Sequence, residues 1–328
     1  MTFNNNDIKG KIVVVTGASG YIGSSLIVKL KKYSAKIIRI SRKKLSPEDG
    51  VEDWLMDINN LDNWMKIVSN ADIIFHLAGN TSIYNAEKNP QESLMSTVLP
   101  ITHLISASKK LLLKPKVVFA STVTVYGLTN KIPVTESVLP NPVTFYDMHK
   151  YFAEQLLLMA NKNSVIDASI LRLANVYGPS LSETMADDRG VLSKLTRMAF
   201  EGKGLKVYGD GSYIRDYVYI TDVVSAFLCV CSNNSNKIIF NVATNKGTKV
   251  IDVFNLISSE VEKVASIKNK VEAIEWPVDV NDIEKRNFVG SNELLTLSSK
   301  WKPTVKIDDG IRFLVSYYFK EHANNEFS

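Results

Sequence analysis

Tyr146 and Lys150 stand four residues apart in a stretch of helical character. On a helix, positions i and i+4 share a face. A tyrosine phenol titrates near about 10 and is a poor base at neutral pH. A neighbouring ammonium favours the phenolate and lowers that value. Tyr146 can then exchange a proton with a hydroxyl or ketone while hydride moves to or from a nicotinamide. Ser121 and Thr122 close an apolar run, Lys116–Thr122, so that a hydroxyl from either can reach the same oxygen.

A second pattern says what else is held there. Thr16-Gly17-Ala18-Ser19-Gly20-Tyr21-Ile22-Gly23 is a G-x-x-G-x-x-G turn placed directly after the first apolar run. Gly17 permits a tight turn, Gly20 lets backbone approach a pyrophosphate, and Gly23 allows a helix to pack closely on a strand. The helix that follows presents its N-terminal amides to the anion. NAD-binding turns usually place a carboxylate at the end of the second strand, for the ribose hydroxyls. Here that end reads Arg39-Ile40-Ser41-Arg42-Lys43-Lys44 and is basic. Ser41 and Arg42 are the candidates to accept a 2′-phosphate, so NADP is expected over NAD. Arg39 lies within the strand and is the weaker candidate.

These residues need a scaffold. Lys11–Thr16, Lys36–Ser41, Ala71–Ala78, Lys116–Thr122 and Ala168–Leu173 read as short buried strands. Amphipathic stretches of helical length lie between them, at Tyr21–Lys32, Leu61–Ser69, Leu94–Lys110 and Lys150–Asn161. That alternation predicts an α/β fold, a doubly wound parallel sheet of Rossmann type with right-handed crossovers. After about Asn175 the segments shorten, with strands at Asp216–Ile220 and Lys237–Val242 and a helix at Lys249–Val264. Residues 1–175 are expected to form the dinucleotide-binding domain, with about 216–245 returning to it. Residues 176–328 are expected to form mainly a smaller, interleaved α/β substrate lobe.

The chain has 328 residues, 45% hydrophobic and 22% charged, enough apolar matter for a core and too much for a disordered chain. Lys plus Arg is 39 against 34 Asp plus Glu, a net charge of +5 that is too mild to argue for nucleic acid. No apolar run approaches the roughly 20 residues needed to span a bilayer. Met1–Lys9 carries no apolar core and is not read as a secretory signal. Cys229 and Cys231 are two apart and point different ways on a helix, so they read as buried thiols in a reducing compartment, with no metal site. A cytoplasmic location follows as the expectation.

Taken together the segments resemble the extended short-chain dehydrogenase/reductases, in the NAD(P)-dependent nucleotide-sugar epimerase/dehydratase group. The resemblance spans about residues 10 to 315. It rests on TGASGYIG at 16–23, Met56-Asp57-Ile58, HLAG at 76–79, STVTVYG at 121–127, YDMHK at 146–150, LRLANVYGP at 171–179 and GDGSYIRDYVYITDV at 209–223. It implies that Asp57 and Ile58 flank the adenine, and that Ala78 and Gly79 line the pyrophosphate side. It implies Thr122 as the catalytic hydroxyl beside Ser121, Tyr146 as acid/base, and Lys150 on the nicotinamide ribose. Asn175 and Arg215 are implied to contact the diphosphate of a nucleoside-diphosphate sugar, where a guanidinium fork suits the geometry. Each has a plainer role open to it: Asp57 as a turn cap, Asn175 as a loop tie, Arg215 in an ion pair with Asp216, His76 as a core histidine.

The chain departs from the family pattern in places. Dehydratases carry an Asp-Glu pair after the catalytic Thr, whereas Val123-Thr124 here cannot protonate a leaving hydroxide. That argues against a 4,6-dehydratase. Pro100 interrupts the predicted Leu94–Lys110 helix, as a kink or in a first turn. Trp276-Pro277-Val278-Asp279 replaces an Arg-Pro-Gly-Asp stretch, and Arg286 is the nearest substitute for its Arg. Hydride transfer at C4 is the expected chemistry, by a 4-ketosugar reductase on cofactor grounds or by a 4-epimerase with tightly bound NAD. A non-catalytic NAD(P)-binding sensor is the alternative from another class. The resemblance also implies a homodimer, for which Leu104, Leu111, Leu156 and Leu157 could supply apolar contacts, unless they face the chain's own sheet.

Overall fold

Val13, Val14 and Val15 have no exposed surface, as expected of a β-branched run buried on both faces. They lie in an interior strand of a computed structural model that describes residues 7–33, 35–180, 190–231 and 237–326. The strands are β1 Ile12–Thr16, β2 Lys36–Ser41, β3 Val51–Leu55, β4 Ile73–His76, β5 Lys116–Thr122, β6 Asp167–Leu173, β7 Asn175–Tyr177, β8 Leu205–Tyr208, β9 Ile214–Arg215, β10 Tyr217–Tyr219, β11 Ile239–Val242, β12 Thr248–Lys249 and β13 Val271–Ile274. The helices are α1 Tyr21–Leu30, α2 Leu61–Asn70, α3 Ile83–Lys88, α4 Pro90–Thr97, α5 Leu99–Leu111, α6 Phe145–Lys162, α7 Val191–Phe200, α8 Ile220–Cys231, α9 Val250–Ala265, α10 Glu293–Ser299 and α11 Ile307–Glu326.

Seven strands form one sheet in the order β11-β6-β5-β4-β1-β2-β3. Every neighbouring pair in it is parallel. This is the doubly wound Rossmann arrangement that the alternation predicts. The winding reverses between β1 and β4, and the carboxyl ends there open a crevice suited to a ligand. Two apolar layers clamp the sheet. Val13, Val15, Leu26, Phe75 and Phe227 pack on one face, under α1 and α8. Val14, Trp64, Ile74, Phe119 and Leu157 pack on the other, under α2, α5 and α6. Each fully buried large side chain contributes roughly 1.5–3 kcal/mol. The short pairs β7–β10, β8–β13 and β9–β12 lie outside the sheet.

Several boundaries differ from the sequence reading, for local reasons. The predicted Leu94–Lys110 helix is two helices, α4 and α5, with Pro100 in the first turn of α5. A first-turn proline forfeits no helical hydrogen bond, so the chain turns at Val98 and resumes. Helix α6 starts at Phe145 because Thr144 caps it, its hydroxyl accepting from Asp147 N at 3.1 Å. Tyr146 and Lys150 therefore share one helix. The strand expected at Asp216–Ile220 gives way to α8 at Ile220. The expected dimer leucines divide. Leu104 and Leu157 are fully buried in the chain's own core, and Leu111 and Leu156 pack against it. No helix among the described residues is long and apolar enough to cross a membrane.

Candidate active site

Strand β1 ends at Thr16, and the chain turns through Gly17 at φ +67°. A Cβ at Gly17 would lie 2.7 Å from Ala78 N, and one at Gly23 would collide with the Gly17 carbonyl. Both positions therefore require glycine, and the turn sits tight against the end of β4. Helix α1 starts at Tyr21 after Gly20, and no side chain caps it. Its N-terminal end faces the crevice with the positive end of the helix dipole. Thr16 and His76 brace the two strand ends: their Oγ1 and Nδ1 share a 2.7 Å hydrogen bond, and Ala78 N donates to Thr16 Oγ1 at 3.3 Å. Burial, with the Lys150 charge adding to it, pushes His76 down to about 3, so it is neutral and structural.

The crevice is about 1460 Å³. That exceeds the roughly 300–1,000 Å³ of a pocket for one small ligand and suits a dinucleotide with a second molecule. Gly17, Ser19, Gly20, Tyr21, Ile22 and Gly23 line its floor. Ser41, Arg42, Asp57 and Ile58 line one end, with Ala78 and Gly79 along the side. Ser121, Thr122, Tyr146 and Lys150 line the other end. Asp57 also caps its own turn, its Oδ1 accepting from Asn59 N at 3.0 Å. The segment after β4 adds Asn80, Thr81, Ser82, Asn85 and Lys88 to the lining. The sequence reading did not find these, since small polar residues without spacing carry no signal. The glycine geometry and the uncapped helix fit a dinucleotide.

Lys150 Nζ donates to Ala120 O at 2.9 Å and lies 4.9 Å from the Phe119 ring centroid. Burial pushes its ammonium down to about 8, and the Glu154 carboxylate opposes this. Tyr146 does not behave as its spacing predicts. Burial raises its phenol well above the ordinary value, the Asp147 charge adds to this, and a hydrogen bond with Thr122 pulls the other way. The Lys150 charge is not among the influences on the phenol, and its ammonium donates to the β5 carbonyl. Thr122 caps the 3-10 turn that follows it, sharing a 2.9 Å hydrogen bond with Thr124 Oγ1. The Ser121 hydroxyl is engaged otherwise, donating to Glu154 Oε1 at 2.5 Å. Glu154 also accepts from Arg172 Nε at 3.0 Å and Nη2 at 2.6 Å. It stands at i+4 from Lys150, a spacing legible in the sequence but unused there.

Two predicted substrate residues are not in the lining of this crevice. Asn175 Nδ2 donates to Asp216 O at 3.0 Å and so ties a loop. Arg215 is buried and donates to the backbone carbonyls of Glu284 and Arg286. It makes no ion pair with Asp216, whose carboxylate accepts from Thr244 and Gly290. Burial pushes the neighbouring Arg286 down to about 10, and the Arg215 charge adds to this. Arg286 Nε is buried without a hydrogen-bond partner.

The fold is a Rossmann-type scaffold whose crevice brings Thr122, Tyr146 and Lys150 together. Residues 13–243 match the NAD dependent epimerase/dehydratase family. The chain belongs to that family. A Methanocaldococcus jannaschii protein assigned as a UDP-glucose 4-epimerase is 28% identical over 93% of this chain and 98% of its own length. UDP-glucuronic acid decarboxylase 1 of Danio rerio is 25% identical over 97% of this chain and 75% of its own. The solved UDP-glucose 4-epimerase of Thermotoga maritima, with UDP-glucose, superimposes with a TM-score of 0.83 at 26% identity, covering 94% of this chain and 99% of that one.

Proposed function

We propose that the chain is a nucleotide-sugar 4-epimerase that oxidises C4 of the sugar and reduces it again from the other side. The observation that carries this is the convergence of Thr122, Tyr146 and Lys150 on the crevice that holds the glycine turn. Thr122 Oγ1 and the Tyr146 phenol bind the C4 oxygen from one side. Tyr146 takes the hydroxyl proton as hydride leaves and returns it as hydride comes back. Lys150 anchors the nicotinamide ribose. When bound, the nicotinamide supplies the hydride acceptor and donor. Val123 and Thr124 offer no acid for eliminating water, which supports exchange at C4 over 4,6-dehydration.

Arg215 and Arg286 are proposed to grip the diphosphate, with Asn175 fixing the adjoining loop. Two buried guanidiniums within Coulomb reach of each other favour an anion between them. Arg286 then fills the role of the arginine absent from Trp276–Asp279. The likeness to UDP-sugar enzymes supports UDP as the nucleotide. A second reading, the 4-ketosugar reductase, is favoured by one feature: the end of β2 carries Ser41 and Arg42 and no carboxylate. On that ground we propose that the adenosine end accepts NADP.

Mass spectrometry of the cofactor released on denaturation separates the two readings. A stoichiometric, retained dinucleotide, with interconversion of UDP-glucose and UDP-galactose, supports the epimerase. An empty site with single consumption of NADPH on a 4-ketosugar supports the reductase. Tyr146→Phe should keep cofactor binding and lose turnover; unchanged turnover would remove Tyr146 from the chemistry and revive the sensor. A homodimer is proposed through Phe145, Met148, Phe152 and Met159 on α6 and Leu94 and Met95 on α4, all exposed. A monomer mass by light scattering at micromolar concentration would overturn it.

A further inference from the structure

Arg39 is a charged residue in the second strand of the sheet, only 4% exposed. A buried guanidinium costs several kcal/mol unless paired and hydrogen-bonded. Here it is paired on every side. Its Nε donates to Asp53 Oδ1 at 2.6 Å and its Nη2 to Asp53 Oδ2 at 2.7 Å. That is a fork-to-fork pair across β2–β3, where Arg39 and Asp53 stand in register. Its Nη1 donates to Glu48 Oε2 at 2.8 Å, and its Nη2 also donates to Ser46 O at 2.9 Å. Lys31, just beyond the end of α1, donates to Glu48 Oε1 at 2.8 Å.

Ser46 and Glu48 belong to the loop 42–50, which starts with Arg42 at the adenosine end of the crevice. The other bonds of this loop lie near its ends: Lys43 N to Ser41 Oγ at 3.1 Å and Val51 N to Glu48 O at 3.2 Å. Arg39 thus holds the middle of the loop from beneath. It also answers a charge problem. Asp53 and Glu48 would repel an incoming phosphate, but Arg39 and Lys31 cancel them pair for pair. Arg42, Lys43 and Lys44 then outnumber Asp49, the loop's remaining carboxylate, and leave it net positive.

We propose that Arg39 is the positioning residue for 2′-phosphate selectivity: it pins the loop so that Arg42 meets the phosphate, and it neutralises the carboxylates beside it. The proposal rests on the reading that this end accepts NADP. A loop free to move would cost ordering entropy each time a phosphate bound, and the discrimination would fade.

The test is calorimetric binding of 2′,5′-ADP and of 5′-AMP, which differ only in the 2′-phosphate. A charge-assisted contact of about 1.5–3 kcal/mol corresponds to a preference of roughly 10–100-fold for 2′,5′-ADP. Arg39→Met should bring that ratio below about threefold while AMP affinity stays unchanged, a split that general loss of structure does not produce. Glu48→Gln, which leaves the Asp53 fork intact, should give an intermediate ratio and decides the matter if Arg39→Met does not fold. Arg42→Ala should abolish the preference. A wild-type ratio retained in both Arg39→Met and Glu48→Gln overturns the clamp and leaves the NADP reading standing. No preference in the wild type, with no effect of Arg42→Ala, overturns both.

Discussion

Replacing Glu154 by Gln keeps the side-chain shape and removes one buried charge. In the wild type Glu154 has no exposed surface and Arg172 is 2% exposed. The two make a fork pair at 3.0 and 2.6 Å, and Arg172 Nη1 already lacks a partner. Glu154→Gln therefore leaves a guanidinium unpaired in the core, which costs about 3–5 kcal/mol. Unfolding entropy near 2.1 cal/mol/K per residue, over 328 residues, converts that to a loss of about 4–7 °C in Tm. The double variant Glu154→Met, Arg172→Met removes both charges and should recover to within about 1–3 kcal/mol of wild type, the remainder being the Ser121 hydroxyl left without its acceptor. Urea unfolding followed by tryptophan fluorescence, with the singles Glu154→Met and Arg172→Met included, gives all the stabilities needed for a cycle. A cost below about 1 kcal/mol for Glu154→Gln, or a double variant as unstable as the summed singles, would refute the account of a desolvated, mutually dependent pair. The same substitution removes the carboxylate that holds Lys150 up, so the pH at which its ammonium is lost should fall.

Two further outcomes follow from the site. Lys150 titrates at about 8 in the folded chain and at about 10.4 unfolded, so the unfolded state binds more protons between those values. Wild-type stability relative to Lys150→Met should therefore rise from about pH 8 to 10, and a pH-independent difference in urea midpoints would contradict the buried position. Gly23→Ala drives a methyl into the Gly17 carbonyl and should push α1 off the turn. NADH affinity by fluorescence titration should drop at least about tenfold, or 1.4 kcal/mol, and an unaltered affinity would remove the glycine turn from the binding site.

Residues whose role depends on spacing were legible in advance. The glycine turn, the Tyr146–Lys150 pair and the hydroxyls at the end of β5 meet in one crevice because each lies at the carboxyl end of a parallel strand or on the helix beside it. Strand β3 was missed because Val51-Glu52-Asp53-Trp54-Leu55 is a polar edge strand, without the apolar run of a buried one. The electrostatics were also hidden. Four-residue spacing suggests that Lys150 tunes Tyr146, yet the Ala120 carbonyl takes the ammonium and burial governs the phenol. Arg39, read only as a weak phosphate ligand, proves to be bound by Asp53 and Glu48. Its partners sit nine and fourteen residues on, at separations set by the β2–β3 register and the loop between them.

Strand β11 closes the sheet beside β6, although the chain makes β6 long before it. During synthesis the first six strands can assemble with an open edge along Ile170–Leu173, all buried in the finished molecule. At about 5–20 residues per second, the stretch from Leu173 to Val242 takes roughly 3–14 s to emerge. Through that interval a nascent chain carries an apolar, unpaired strand able to recruit another like it. The opposite edge, β3, is shielded by its own charges. The order in which the strands are made thus leaves the aggregation hazard on the side where β11 will dock, and a fragment ending before residue 239 keeps it permanently.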